Sequence, residues 1–187
     1  MKNLFVLFII CCFAVQDLPA QRYLPGIRGL QFTTGTVNGL NPQEGFHAGM
    51  ALSTYNKRAD RWVFGFEYLE KRYAYKELNV PQSQFTLDAG YYLKFLSDPR
   101  KTFFASLGAS AMAGYETINW DKKLLPDGAT INNADAFLYG AAITLELETY
   151  LTDRLVLLSN VRERLLIGSS IGKLNTQFGI GLKFIIN

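Results

Sequence analysis

Two cysteines and one histidine are all that the 187 residues hold of the side chains most used for covalent and metal chemistry. Cys11 and Cys12 stand side by side inside the first apolar run. If that run is removed on export, no thiol remains, which excludes a disulfide, a thiolate nucleophile and a cysteine metal site. One histidine leaves only oxygen ligands for a metal, and Asp121, Asp127 and Gly128 lack the spacing of a calcium loop. No cofactor is expected. The net charge of +3 is too small an excess to imply nucleic acid as a direct partner. Missing too are helical periodicity and, anywhere in the chain, the roughly 20 apolar residues that a spanning helix needs. Any residence in a membrane must therefore use strands.

What is present begins with a targeting signal. Lys2 precedes an unbroken apolar run from Leu4 to Val15, the core of a signal peptide. Ala20 is the best cleavage position, giving a signal over residues 1–20 and one domain over 21–187. Lipidation at Cys11 or Cys12 is disfavoured, because Ile9 and Ile10 stand where a small residue is wanted. Hydrophobic residues make up 49% and charged ones 19%, a balance that argues against disorder.

The remaining chain alternates apolar and polar residues in eight stretches, the signature of strands with two unlike faces. They run near Gly29–Val37, Phe46–Tyr55, Arg61–Tyr73, Gln84–Leu96, Thr102–Ile118, Ala136–Thr149, Arg154–Ile167 and Asn175–Ile186. In the third, Trp62, Phe64, Phe66 and Tyr68 oppose Val63, Gly65, Glu67 and Leu69. Several reach the roughly 9–11 residues that cross a bilayer at a tilt. The last one, with Phe178, Ile180, Leu182 and Phe184 on one parity, resembles the C-terminal insertion signal of outer-membrane barrels. Only the seventh is imperfect, since Glu163 falls on its apolar parity.

Alternation does not say which face is inside. A soluble lipocalin-like carrier turns its apolar face inward, whereas a membrane barrel turns it to lipid. Glycine decides. Gly35, Gly49, Gly65, Gly90, Gly108, Gly114, Gly140, Gly179 and Gly181 all share the polar parity, and a solvated surface has no use for residues that weaken strands. A narrow lumen needs them. The charges of that parity also balance: Glu67, Asp88, Glu116, Glu146 and Glu148 against Lys71, Lys94, Arg162, Arg164 and Lys183. Charges taken from water must be paired, so the polar face is the interior of an all-β, eight-stranded antiparallel up-and-down transmembrane barrel. Glu146 and Glu148 are expected to pair with Arg162 and Arg164 on the next strand. Connections alternate between tight turns and longer loops, Asn38–Gly45, Ala74–Pro81, Asn119–Asp135 and Gly168–Leu174 being the longer set. That places both termini in the periplasm. Aromatic girdles are expected from Tyr55, Trp62, Phe95, Phe103 and Tyr150 at one end and Phe46, Tyr73, Tyr115 and Phe137 at the other.

The segments Gln21–Gly29, Ala51–Tyr55, Arg61–Gly65, Gly90–Pro99, Tyr150–Arg154 and Thr176–Gly179 resemble the TraO family, conjugal transfer proteins of conjugative transposons in Gram-negative bacteria. The resemblance implies a component of a DNA-transfer apparatus of the type IV secretion kind at the outer membrane. Its partners would be outer-membrane lipids and other transfer proteins, with further copies of itself in a ring as one arrangement. It brings no catalytic residues to carry over.

Eight strands enclose a space that side chains fill, so DNA cannot pass through one such barrel. The role expected is structural. The longest loop, Asn119–Asp135, carries Trp120, Leu124, Leu125 and Ile131, which either meet a partner or fold over the barrel mouth. Arg22–Gly29, with two arginines, either docks a partner or simply leads into strand one. A lipid-modifying enzyme would need a histidine beside a serine and a carboxylate. His47 shares the lumen parity with Ser106 and Ser110, but nothing in the spacing joins them, and no catalysis is expected. Lys57, Arg58 and Arg61 read as a solvated turn rather than a nucleic-acid contact.

Overall fold

The structure, a computed structural model, describes residues 26–56, 58–75, 78–121, 130, 135–169 and 172–186. The expected signal segment lies outside them, as do Leu124, Leu125 and Ile131. Eight strands form a closed antiparallel barrel in chain order: β1 (Arg28–Val37), β2 (Gly45–Tyr55), β3 (Arg61–Tyr75), β4 (Leu78–Ser97), β5 (Phe103–Ile118), β6 (Ala136–Tyr150), β7 (Leu155–Ile167) and β8 (Leu174–Ile186). β8 closes on β1, so the sheet has no free edge around its girth.

Register sets the tilt. Stepping across paired residues from Leu174 through Leu165, Ala141, Ala111, Ala89, Phe64, Leu52 and Leu30 returns to β8 at Phe184. The stagger per circuit is therefore the ten residues between Leu174 and Phe184. For eight strands that corresponds to a tilt of about 40–45° from the barrel axis. The turns 56–60, 98–102 and 151–154 gather at one end, and the connections 38–44, 119–135 and 168–173 at the other, together with the β3–β4 hairpin.

The faces are inverted relative to a soluble domain. Phe64, Phe66, Leu87, Leu107, Ile143 and Ile180 point outward and are 41–63% exposed, while Arg61, Glu148, Arg164 and Lys183 are fully buried inside. An apolar surface that encircles the whole molecule cannot stand in water, and lipid is the solvent it fits. The carrier arrangement, with its apolar face inward, is thereby excluded.

Two local expectations are corrected. Ala74–Pro81 is not a loop: β3 and β4 continue pairing through Tyr73 with Val80 and Tyr75 with Leu78. Pro81 is tolerated because β5 begins to pair with β4 only at Gln82, so Pro81 sits on an edge segment where no second neighbour needs its missing N–H. Tyr55 and Tyr150 do not belong to a girdle. Even positions face out on β2 and odd ones on β6, so both tyrosines turn inward and are buried. Trp62, Phe95, Tyr73, Tyr115 and Phe137 are exposed on the outer face. Glu163 does face outward, where the Thr176 hydroxyl donates to its carboxylate at 2.6 Å.

Candidate functional site

The lumen is filled by two ionic clusters that each cancel. At the turn end, the Arg61 guanidinium donates to Glu146 at 2.6 Å, to Glu148 at 3.4 Å and to the Ser106 hydroxyl at 3.1 Å. Lys183 completes this group, donating to Glu148 and, at 3.0 Å, to the Tyr55 hydroxyl, which itself donates to Glu148 at 2.7 Å. Two cations face two carboxylates. Toward the loop end, Arg164 donates to Glu67 at 3.0 Å, while Arg162 lies 3.4 Å from Glu67 and 3.7 Å from Asp88. Again two cations face two carboxylates. Gln177 adds a neutral donor to Glu67 at 2.7 Å.

Tyr92 joins the clusters. Its ring lies 5.0 Å under the Arg61 guanidinium, and its hydroxyl accepts from Arg162 at 3.2 Å. The ring has room only because Gly108 faces it on β5, where an added Cβ would come within 2.6 Å of its atoms. Buried pairs hold only when geometry and extra hydrogen bonds offset desolvation, and here Glu67 and Glu148 each accept from three donors.

Sequence spacing placed Glu146 and Glu148 against Arg162 and Arg164, and the register corrects this. Arg162 pairs with Thr144 and Arg164 with Ala142, two and four residues nearer the loop end than Glu146, while Glu146 and Glu148 stand opposite Asn160 and Leu158. Arg61, expected in a solvated turn, is instead the central cation of the lower cluster. It shares the lumen parity of Val63 and Glu67, and that parity was the signal available to find it. Glu116 stands apart near the loop end, accepting from Gln82, Gln84 and Ser169 at 2.6–3.0 Å. Lys71 sits 5.2 Å over the Tyr73 ring, and neither it nor Lys94 makes an ion pair with a described residue.

Between the clusters a cavity of about 20 Å³ remains, lined by Gln31, His47, Glu67, Asp88, Arg162 and Gln177 among others. That is room for one water molecule and no channel. The His47 Nδ1 lies 3.6 Å from Glu67, and no hydrogen bond joins its ring to Ser106 or Ser110. Ser106 serves Arg61 instead.

A lumen so filled leaves contact with partners to the outside of the barrel. At the foot of the longest loop, Asn119 and Trp120 both adopt left-handed backbone, with φ of 51° and 53°. Two such non-glycine residues in succession carry strain that the surroundings must hold. The turn they make folds outward over the sheet: Trp120 packs edge-on against Phe85 at 6.3 Å and stays 56% exposed. The described start of the loop thus lies on the barrel wall rather than over its mouth.

Comparison with known proteins bears on the family and the barrel. Residues 24–186 match the family model of conjugative transposon protein TraO. No curated relative matches the chain in sequence. Among solved structures it is similar to Neisserial surface protein A, at 10% identity and a TM-score of 0.57, covering 86% of this chain and 96% of that one. It is similar also to Ail of Yersinia pestis, solved with the heparin analogue sucrose octasulfate, at 8% identity and 0.55, covering 87% and 100%. The N-terminal β-barrel domain of Pseudomonas aeruginosa OprF gives 13% and 0.53, covering 87% and 98%. These likenesses establish the fold, which is that of small outer-membrane barrels.

Proposed function

The chain belongs to the TraO family of conjugative transposon proteins, and on that premise we propose that it is an outer-membrane barrel of a conjugative DNA-transfer apparatus, with an anchoring and not a catalytic role. The single observation that carries this reading is the filled lumen. A family match that spans nearly the whole described barrel supplies the transfer context, and two neutralised ionic clusters leave the barrel nothing to conduct. Neither DNA nor a relaxase fits through a space the size of one water. Contribution to transfer then falls to the surfaces at the two ends. Export by the N-terminal signal and placement of the short turns in the periplasm follow the usual orientation of such barrels.

The loop 119–135 is the candidate contact for other transfer proteins or for further copies of the chain, because its exposed Trp120 is held in a strained, oriented turn. A reading without catalysis is supported by His47, which lies 3.6 Å from a carboxylate already shared by two arginines. Fractionation tests placement: the protein belongs with the detergent-extracted outer membrane and runs as a heat-modifiable band. Deleting the gene from its element tests the role. Mating frequency should fall by orders of magnitude and return on complementation; unchanged transfer removes the proposal.

A further inference from the structure

A groove of about 650 Å³ crosses the outer face from β1 to β5. It exists because Ala89, Ala111 and Ala113 present small side chains where neighbouring positions carry Phe64, Phe66 and Leu87. Its size falls in the range of small-molecule sites, and its lining is almost wholly apolar. The row that lines it, Leu30–Leu52–Phe64–Ala89–Ala111, climbs away from the turn end as it crosses the sheet, so Leu30 and Leu52 mark its foot.

Directly below that foot the surface changes character. The next outward-facing row reads Arg28, Thr54, Trp62, Tyr91. Arg28 lies two residues before Leu30 on the same face, about 7 Å along the strand. Trp62 is 53% exposed and packs on Tyr91 at 4.9 Å, and Asn56 donates to the Tyr91 hydroxyl at 2.7 Å. Arg58, in the β2–β3 turn beside Asn56, is exposed. Neither Arg28 nor Arg58 makes an ion pair with a described residue, and Asp60, the acid of that turn, is buried and accepts from the Lys94 backbone. An apolar channel thus ends on an interfacial aromatic pair and two cations that no described acid neutralises.

We propose that the groove and these arginines form a site for one anionic phospholipid of the leaflet at the turn end. An acyl chain lies over Ala89, Ala111 and Ala113, the Trp62–Tyr91 pair sits at the depth of the ester carbonyls, and the headgroup phosphate meets Arg28 and Arg58. Charge complementarity selects the occupant: a second barrel on this face would bring two Arg28 side chains toward one another or leave them unmatched, whereas a lipid phosphate satisfies them. The site rests on the membrane placement of the barrel, which fractionation tests separately.

Native mass spectrometry of the folded, detergent-purified protein with added phosphatidylglycerol or phosphatidylcholine tests it, the heat-modifiable band reporting folding of every variant. Wild type should retain one phosphatidylglycerol with a preference of about tenfold over phosphatidylcholine, as expected for two arginines at an anionic headgroup. Arg28→Gln with Arg58→Gln should bind both lipids equally. Ala111→Phe, which fills the groove from an outward-facing position, should weaken both. Equal retention of the two lipids by wild type overturns the proposal, as does a preference that survives in the double variant. A protein dimer lost with Ala111→Phe also overturns it, by giving the face to a second copy.

Discussion

Arg61 and Glu146 meet at 2.6 Å inside the barrel although 85 positions separate them in the chain. Their side chains are 0% and 3% exposed, so neither has water to fall back on. Arg61→Met should therefore leave Glu146 and Glu148 with Lys183 alone, at a cost of about 3–5 kcal/mol. Urea unfolding in lipid, followed by the heat-modifiable band, measures it. Adding Glu146→Gln should recover part of the loss, and a double variant as unstable as Arg61→Met alone would contradict the pairing.

Because each cluster cancels internally, damage to one should not propagate to the other except through Tyr92. Arg61→Met and Arg164→Met are expected to add in their effects to within about 0.5 kcal/mol. Tyr92→Phe keeps the ring beside Arg61 but removes the acceptor for Arg162, a loss of about 1.5–3 kcal/mol for a bond to a charged group. A double-mutant cycle between Arg61 and Arg164 that shows strong coupling in the Tyr92→Phe background would mean that the lumen is one network.

The interior is as tightly set by its glycines as by its charges. A methyl group at Gly108 would press on the Tyr92 ring, so Gly108→Ala should destabilise by about 1–3 kcal/mol. Tyr92→Leu in the same chain should relieve the contact. At Gly35 the added atom would fall 1.8 Å from the Phe178 carbonyl oxygen, which is backbone and cannot step aside. Gly35→Ala is expected to block barrel closure, read as absence of the faster-migrating folded band.

Inversion of the faces predicts a labelling pattern. Cysteines placed at Phe66, Leu107 and Ile143, which are 41%, 49% and 62% exposed, should react with lipid-soluble thiol reagents only. Modification of all three by a charged, membrane-impermeant probe in the intact membrane would refute the membrane-facing assignment of that surface.

The strand pattern and the inward parity were legible in the sequence because period-2 alternation directly encodes which side chains share a face. What was not legible is who pairs with whom. Glu146 and Arg162 share a parity but miss each other by two residues, a matter of register that the 151–154 turn sets and composition does not record. Arg61 was hidden differently: it stands at a strand end, where a basic residue beside Arg58 looks solvated, and only the closed barrel brings Ser106, Glu146 and Glu148 around it. Pro81 misled in the same way, since a proline ends a strand only where two neighbours demand its N–H.

The two tryptophans allow the ends of the barrel to be read separately, since Trp62 lies at the turn end and Trp120 at the loop end. Trp120 packs on the outward-facing Phe85 and is half exposed, a position suited to the interfacial zone of the opposite leaflet. With Trp62→Phe, the remaining emission should come from Trp120 and be quenched by lipids brominated near the carbonyl, and weakly by those brominated at chain ends. Trp120→Gly removes both the left-handed strain and the ring. It should leave unfolding within about 1 kcal/mol of wild type, because relief of an αL residue offsets lost packing. If the oriented loop is what partners contact, the same substitution should still lower mating frequency about tenfold or more; normal transfer with Trp120→Gly would place the contact elsewhere on the barrel.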